Sequence, residues 1–382
     1  MRNNNWKLVS LGEVVNELKI TTQNPHEKGL ENYIGFEHIE SENLKVNNYG
    51  NIDDGVTFNK IFRKGDVLFG KIRAYLKKVS IAPFDGLCSG DILVLRTKDE
   101  EKLRQELLPF VLSTSSFFQN AIDTSIGTTM PRTKWQYVSA YKFPLPPLSE
   151  QAQIAELFRS IETAIEQAEQ QEKNLKALQK TLSNGLASNQ PSFGNLLNNK
   201  NCNATTFGQI ADCIEQHDKH KNYVSRFVGL ENIGQENLKI STWGNIADGT
   251  TFTKRFTKGD VLFGKRRAYL KKVAIADFDG ICSGDILVLR AKEKVMLSEL
   301  LPFYASAEAF IQHAVSTSAG SLSPRTKWKD VSTFEVAIPN LKTQEKIVEV
   351  FQQLQITLDQ IKAQKLTLKN LKKKLLNEIL VG

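Results

Sequence analysis

Two long segments of the chain carry apolar residues at every seventh position. This spacing predicts amphipathic helices whose apolar stripes meet in a coiled coil, and each helix would bury its stripe against the other. Ser149 and Thr343 are suitable N-caps. The a positions of the two patterns are Ile154, Ile161, Ala168, Leu175, Leu182 and Ile347, Leu354, Ile361, Leu368, Leu375. The d positions are Leu157, Ala164, Gln171, Leu178 and Val350, Thr357, Gln364, Leu371.

Ahead of each helix, the pattern changes to short apolar runs bounded by turn residues. In the first half of the chain, GDVLFGK at 65–71 and GDILVLR at 90–96 predict buried strands entered through Gly-Asp turns. One helix is expected around Glu100–Ala121, then a Gly/Thr/Pro loop, and then FPLPPL, whose prolines exclude helix. We therefore expect a mixed α/β domain before each long helix.

The two halves of the chain are copies of one unit. Residues 65–96 and 259–290 form 32-residue strings that differ only at Ile72/Arg266, Ser80/Ala274, Pro83/Asp277 and Leu87/Ile281. The offset is 194 residues here and 193 further on, where PRTKW at 131–135 returns at 324–328. A repeat this long indicates a duplicated domain and not a solenoid.

These patterns predict an α+β fold: two repeated mixed α/β domains separated by two long antiparallel coiled-coil helices, with pseudo-two-fold symmetry. About 37 residues of helix would make a rod of roughly 55 Å. The predicted boundaries are 1–148 for the first domain, 149–186 for the first helix, 187–205 for an Asn-rich linker, 206–342 for the second domain and 343–382 for the second helix.

The net charge of the chain indicates which class of partner it could bind. The formal net charge of +8 and the pI of about 9.1 favour a polyanion such as nucleic acid or an anionic membrane surface. We see no apolar stretch of transmembrane length and no apolar signal-peptide core at the N-terminus. The four cysteines include no C-x-x-C pair, so we expect a reduced, cytoplasmic protein with no membrane partner.

The sequence lacks the common catalytic signatures. No phosphate-binding loop, dinucleotide fingerprint or nucleophile elbow is present. Cys213, His217 and His220 do not have the spacing of a zinc finger, and the first copy has no equivalent set. Cys88 and Cys282 each fit a small core residue. We therefore expect a binding protein with no catalytic residue, no metal and no cofactor of its own.

Two basic segments recur in both copies and could contact DNA. One surrounds an aromatic residue, and the other is a loop between elements, where recognition residues are often found. The alternative is a solvated strand or hairpin edge guarded by lysines. Trp135 and Trp328 are expected to pack in cores. The candidates are Lys71, Arg73, Tyr75, Lys77, Lys78, Arg132 and Lys134, and, in the second copy, Lys265, Arg266, Arg267, Tyr269, Lys271, Lys272, Arg325 and Lys327.

The order of these motifs resembles the DNA-specificity (S) subunit of type I restriction-modification systems over essentially the whole chain. The match rests on GDVLFGK-x-R-A-Y-L-K-K and on the helix lead P-x-L-x-x-Q-x-x-I, each present twice. The resemblance implies two target-recognition domains that each read half of a split DNA site, and no active site. It also implies helices that dock two methyltransferase (M) subunits using S-adenosylmethionine, and restriction/motor (R) subunits that can join them. The helix positions concerned would be Ile154, Ile161, Leu175, Leu182, Ile347, Leu354, Ile361, Leu368 and Leu375.

The chain departs from that family because its two recognition domains are near twins. We therefore expect two similar half-sites in an inverted arrangement around an unread spacer, although Ile72/Arg266 could make the halves unequal. A rival interpretation is a coiled-coil scaffold that presents two domains to protein partners. A self-contained DNA enzyme with an unfamiliar site is the third.

Overall fold

A computed structural model describes residues 6–188, 190–197, 201–220, 224–235 and 237–381. The chain divides into two compact units, Met1–Glu169 with Ala363–Gly382 and Gln170–Lys362. Each unit contains one copy of the repeated domain together with a part of each long helix. The predicted linker includes residues 189 and 198–200, which lie outside the described residues. Within it, Phe193 and Leu197 are buried in the core of the second unit.

The domain of the first unit has three sheets among its described residues. They have the strand orders β1-β10, β2-β9-β6-β7 and β4-β3-β8-β5, and every pairing is antiparallel except β3 with β8. The predicted strands at 65–71 and 90–96 are confirmed as β6 and β9. The strands are β1 Lys7–Ser10, β2 Val15–Leu18, β3 Asn32–Ile34, β4 Gly50–Asn51, β5 Lys60–Phe62, β6 Val67–Gly70, β7 Val79–Ile81, β8 Gly86–Cys88, β9 Ile92–Thr97 and β10 Lys142–Leu145.

The domain of the second unit repeats this topology. Its sheets have the orders β11-β20, β12-β19-β16-β17 and β14-β13-β18-β15, again with one parallel pairing, β13 with β18. The strands are β11 Cys202–Thr206, β12 Ala211–Cys213, β13 Arg226–Val228, β14 Gly244–Asn245, β15 Lys254–Phe256, β16 Val261–Gly264, β17 Val273–Ile275, β18 Gly280–Cys282, β19 Ile286–Ala291 and β20 Glu335–Pro339.

Short helices pack against one four-stranded sheet in each domain, β2-β9-β6-β7 in the first and β12-β19-β16-β17 in the second. The single helix expected at Glu100–Ala121 is wrong, because the Thr114 side chain accepts a hydrogen bond from Phe117 N–H and starts a new helix there. The helices are α1 Leu11–Val14, α2 Leu108–Val111, α3 Ser115–Asp123 and α4 Trp135–Val138 in the first domain, and α6 Phe207–Ile210, α7 Leu301–Ser306, α8 Glu308–Ser316 and α9 Trp328–Val331 in the second.

Each domain leads directly into a long helix, α5 Leu148–Leu186 or α10 Leu341–Leu380. The N-caps predicted at Ser149 and Thr343 are wrong. The second helix is capped by Asn340, whose side-chain oxygen accepts a hydrogen bond from Thr343 N–H. The first starts just after Pro147, whose carbonyl accepts from Glu150 N–H at 2.9 Å. A proline before the first turn suits a helix start because its missing N–H would be unpaired there.

A buried glutamine fixes the start of each long helix to its domain. Gln151 Oε1 accepts from Arg104 N–H at 2.9 Å, and its Nε2 donates to the carbonyls of Lys102 and Pro146, both at 2.8 Å. Gln344 makes the same three types of bond in the second unit. Both side chains are buried, so these bonds satisfy polar groups that water does not reach. This arrangement explains the glutamine in the repeated P-x-L-x-x-Q string.

The packing of the long helices is antiparallel, as predicted. In the first unit, Ile161 and Ile165 of early α5 share a core with Leu376 and Leu380 of late α10. In the second unit, late α5 joins the core that contains early α10. An ion pair between Lys369 and Glu169 at 2.9 Å links the helices in the first unit.

The a positions Ile161, Ile347 and Ile361 are buried as predicted, but e positions are buried in place of d positions, so the d half of the predicted a/d seam is wrong. Phe158, Ile165 and Leu186 at e are buried, as are Phe351 and Leu358. The rotation follows from the domain cores: the ring of Phe158 stacks on Phe110 with centroids 5.1 Å apart, and that of Phe351 stacks on Phe303 at 3.6 Å. The d positions turn outward, with exposed fractions of 41% for Leu157, 45% for Leu178, 36% for Val350 and 42% for Leu371.

Repeated buried pairs hold the domain sheets. Asp66 is buried and accepts two hydrogen bonds from Arg96, at 2.6 and 3.0 Å, and Asp260 with Arg290 repeats the pair. Cys88 lies in β8, buried as expected, and Cys282 takes the same place in the second copy. Trp135 and Trp328 pack against the cores of their units.

Candidate DNA interface

The first basic segment of each copy folds into a tight turn after β6 or β16. Arg73 and Lys77 have left-handed backbone conformations, with φ of 48° and 50°, and flank a 3₁₀ turn. Arg267 and Lys271 repeat this geometry, with φ of 53° and 50°. Each such conformation costs a non-glycine residue on the order of 1 kcal/mol, and such strain often accompanies function. The turn joins antiparallel strands, β6 with β7 and β16 with β17, so each segment lies at the end of a hairpin.

The second basic segment lies beside this turn. In the first domain, Arg73 N–H donates to the Pro131 carbonyl at 2.7 Å, and Thr133 N–H donates to the Lys71 carbonyl at 3.0 Å. Lys71 N–H in turn donates to the Asp91 carbonyl at 3.0 Å. We name residues 71–78, 89–91 and 126–134 the first basic corner. Two segments that are distant in sequence therefore form one surface.

The second domain builds the same surface from the equivalent residues. Arg267 N–H donates to the Pro324 carbonyl at 2.8 Å, and Thr326 N–H donates to the Lys265 carbonyl at 3.0 Å. Lys265 N–H donates to the Asp285 carbonyl at 2.9 Å. We name residues 265–272, 283–285 and 319–327 the second basic corner.

Several predicted side chains at the corners face solvent. Tyr75 and Tyr269 are about half exposed, at 52% and 50%. Lys134 and Lys327 are exposed at the ends of the loops. Arg132 and Arg325 are also exposed and pair with an aspartate of the same corner. These residues can present positive charge and an aromatic face to a large anionic ligand.

Other predicted lysines are engaged within the protein. Lys77 pairs with Glu42 at 2.9 Å, and Lys271 pairs with Glu308 at 2.7 Å. The ammonium of Lys78 donates to the Phe36 carbonyl at 2.9 Å and lies 4.2 Å from the centre of the Phe36 ring. Loss of hydration lowers the pKa of Lys78 from its ordinary value.

Lys272 also donates to a carbonyl, that of Leu230. Lys78 and Lys272 therefore tie the turn to the neighbouring sheet. Arg73 and Arg267 share a further feature. The Nε atom of each is buried and makes no hydrogen bond to any residue that the structure describes.

The sequence reasoning missed the aspartates and the loop tips of the corners. Asp91 and Asp285 hold the loop arginines, with Nε to Oδ1 distances of 3.3 and 2.7 Å to Arg132 and Arg325. The loop tips are exposed at 127–130 and 320–322, and Leu322 has 89% of its surface exposed. The string SGD is identical at 89–91 and 283–285, and this repetition could have pointed to the two aspartates.

The predicted helix positions face inward to different extents. Ile161, Ile347 and Ile361 are buried, whereas the others on this list are partly buried: Ile154, Leu175, Leu182, Leu354, Leu368 and Leu375. The outward apolar residues of the helices include four at the d positions, and α10 also exposes Leu341, Ile356 and Leu366.

The four d-position residues recur in both copies. They form equivalent pairs, Leu157 with Val350 and Leu178 with Leu371, each separated by 193 residues.

The remaining candidate sites have other contacts. Cys213 donates to Glu215 at 3.5 Å, and His217 Nδ1 lies 2.9 Å from Thr253 Oγ1. Among the described residues, no three His, Cys, Asp or Glu side chains are grouped so that they could hold a metal. No helix in the described part of the chain is both long and apolar enough to span a membrane.

Comparison with known proteins identifies the family. The model of the type I restriction modification DNA specificity domain matches residues 3–177 and, a second time, residues 200–370. The chain belongs to this family. Its two matches correspond to the two copies seen in the sequence, so the predicted resemblance to type I specificity subunits is confirmed.

Individual relatives of this specificity family agree. The chain is 33% identical to the type I restriction enzyme EcoDI specificity subunit of Escherichia coli over 153 residues, which are 40% of this chain. The match spans 33% of that subunit's length.

Two solved structures share the fold of this specificity-family chain. A chain from a study of complex assembly and conformational transition of the type I R-M system has a TM-score of 0.61, at 20% identity, covering 98% of this chain and 97% of its own length. The S subunit of a type I restriction-modification system from M. genitalium has a TM-score of 0.55, at 15% identity, covering 98% and 96%. These likenesses confirm the predicted fold class.

Proposed function

We propose that this chain is the DNA-reading subunit of a type I restriction-modification complex, and that each basic corner reads one half of a split double-stranded site. The observation that carries the proposal is that the same strained turn, loop and aspartate recur in both domains. Two chain segments keep the same three backbone hydrogen bonds in each copy.

The side chains of each corner suit contact with DNA. Lys71 and Lys134 of the first corner, with their equivalents Lys265 and Lys327, would neutralise phosphates. Tyr75 and Tyr269 would lie against sugar or base. The exposed loop tips would enter a groove, beside the arginines that aspartates hold in place. Lys77, Lys78, Lys271 and Lys272 would support the turn through their internal bonds.

The two half-sites would be similar and inverted. Antiparallel helices that belong to equivalent repeats would relate the copies by a pseudo-two-fold axis, and duplex DNA has its own two-fold axes. Corners built from the same residues would then read similar sequences on opposite strands, with an unread spacer between them.

The outward d positions would dock two methyltransferase subunits. Leu157 with Val350 and Leu178 with Leu371 are equivalent pairs of exposed apolar residues, which is what two equivalent partners would need. This chain would supply recognition and no catalysis. S-adenosylmethionine would be bound by the methyltransferase, which would flip the adenine out of the duplex. Restriction/motor subunits could join this core in the cytoplasm.

Substitution of the d positions tests the docking. With all four changed to Ser, we expect a tagged chain purified from its host to lose its methyltransferase. Control substitutions at Gln153 and Glu349, which are exposed on the same helices, should leave the partner bound. Retention of the partner by the four-fold variant, with helix content unchanged, would exclude these positions as the docking surface.

A selection from random duplexes tests the DNA reading. The tagged chain is purified from its host with its bound subunits, and the duplexes that it retains are sequenced. We expect a split motif with matching inverted halves. A motif with unrelated halves would contradict the twin arrangement. No enrichment by a folded complex that carries its partners would favour the scaffold interpretation.

A further inference from the structure

In one place, a buried apolar residue of the first basic corner corresponds to a charged residue of the second. Ile72 of the first corner is replaced by Arg266 in the second. The backbone at this place is the same in both, because Ile72 bridges to Arg132 as Arg266 bridges to Arg325. The two corners therefore differ here in the side chain alone and in the groups that this side chain contacts.

In the second corner, two arginines converge on one carboxylate. Arg266 Nη1 donates to Asp285 Oδ2 at 3.1 Å, while Arg325 Nε donates to Oδ1 of the same group at 2.7 Å. Partial burial of Asp285 would by itself raise its pKa, but the hydrogen bonds from Arg325 and Arg266 outweigh burial and lower it. Asp285 is therefore a charged anchor at neutral pH, and the cluster has one positive charge in excess.

The first corner has only one of these arginines. Asp91 pairs with Arg132 at 3.3 Å, so the two charges balance. Ile72 is 4% exposed and belongs to the interior of the domain. The Arg266 side chain, by contrast, keeps 39% of its surface exposed. The second corner thus presents an additional guanidinium, already oriented, at a place where the first presents none.

We propose that Arg266, oriented by Asp285, reads a guanine in the second half-site that the first half-site lacks. This inference rests on the proposed function. The half-sites would then differ at the position that Arg266 reads, so the inverted repeat would be imperfect. Guanine is the base concerned because its O6 and N7 accept two parallel hydrogen bonds from one guanidinium.

The geometry favours a base over a phosphate as the ligand. A phosphate can be bound by any positive charge, including that of a mobile lysine. Recognition of a base edge requires hydrogen-bond donors held in a fixed plane. Asp285 restrains the orientation of that plane through one hydrogen bond, from Arg266 Nη1. Arg325 shares the same carboxylate and therefore limits the directions in which Arg266 can swing.

The test compares selections by wild-type and variant complexes. Arg266→Ile installs the residue that the first copy has in its otherwise nearly identical string, so the variant is expected to fold. Arg266→Lys retains the charge but loses the planar fork. Lys294→Ile removes an exposed charge elsewhere in the same domain as a control. Each complex is also titrated at several salt concentrations with the selected duplex and with single-base changes in each half.

We expect both Arg266 variants to lose the guanine preference at one position of one half, with affinity for the selected duplex falling about 10-fold or more. Lys294→Ile should keep the motif. A uniform loss over all duplexes, with an unchanged motif and a salt slope lower by about one, would show a phosphate contact and overturn the proposal.

An unchanged motif and affinity for Arg266→Ile would overturn the proposal as well. A wild-type complex that enriches no motif would instead overturn the proposed function, and this inference with it. Because the wild-type selection is read first, the two failures are distinguishable.

Discussion

Gln151 shows how one residue can determine where a helix meets its domain. Its amide is buried and bonds three backbone groups from two segments. The sequence showed the glutamine in a repeated string but not its role, because nothing in the local pattern indicates which distant backbone groups are unpaired. Pairing with residues 40 to 50 positions away follows only from tertiary structure.

Replacing Gln151 with Met should destabilise the first unit. Backbone groups at Arg104, Lys102 and Pro146 would lose the buried amide that bonds them, which costs about 2–3 kcal/mol of unfolding free energy. Gln153→Met is the matched control, since Gln153 is exposed on the same helix and its loss should cost less than about 0.5 kcal/mol. Hydrogen exchange of β10 and early α5 measures both. Equal effects of the two substitutions would contradict the role assigned to Gln151.

The four cysteines should differ sharply in reactivity. Burial raises the pKa of Cys88 to about 12 and does the same for Cys282, while Cys213 reaches about 11. The thiolate is the reactive form, so at pH 8 alkylation should begin at the partly exposed Cys202. Mass spectrometry of alkylated peptides gives the order. Labelling of Cys88 or Cys282 ahead of Cys202 in folded protein would contradict the burial.

At the corners, the sequence identified the basic residues but could not sort them by role. Lys71 and Lys78 lie in the same short string, yet Lys78 bonds the Phe36 carbonyl and Lys71 remains available to a ligand. The composition and spacing of the string show where the charges are but not which way the side chains point. The direction of a side chain depends on the left-handed turns at Arg73 and Lys77, which no residue type there predicts, since arginine and lysine rarely adopt them.

At the scale of elements, the heptad pattern predicted both long helices and their antiparallel packing. It did not give the rotation of the helices, because apolar residues occupy both d and e positions. Phe158 and Phe351 decide in favour of e, since each stacks on a phenylalanine of a domain core. Contacts between helix and domain therefore outweigh the preference of two isolated helices for an a/d seam.

The seam can be tested with two substitutions on α5. Ile165→Ala removes a buried e-position side chain and should cost about 2–4 kcal/mol of unfolding free energy in the first unit. Leu157→Ala removes an outward d-position side chain and should cost less than about 1 kcal/mol in the absence of a partner. Denaturant unfolding followed by far-UV circular dichroism compares them. A larger loss of unfolding free energy for Leu157→Ala than for Ile165→Ala would show that the helices pack through a and d positions after all.

At the scale of the whole molecule, the duplication was readable from the sequence because 28 of the 32 residues in the central string are unchanged. The duplication also explains why both corners and both glutamine anchors recur, although Arg266 has Ile72 as its counterpart. The bases that are read could not be predicted, because recognition by the proposed corners would depend on the loop tips and on the orientation that each aspartate gives its arginines. The tips are among the places where the copies differ, as IGTTM and AGSLS.

The central claim is that each basic corner reads one half of a split site. Footprinting of the complex on its selected duplex tests it most directly, with Lys71→Ala and Tyr75→Ala together in the first corner and Lys265→Ala and Tyr269→Ala in the second. We expect two protected patches separated by a spacer, and each pair of substitutions should remove one patch and leave the other. Loss of both patches by either pair, or of neither, would contradict the account.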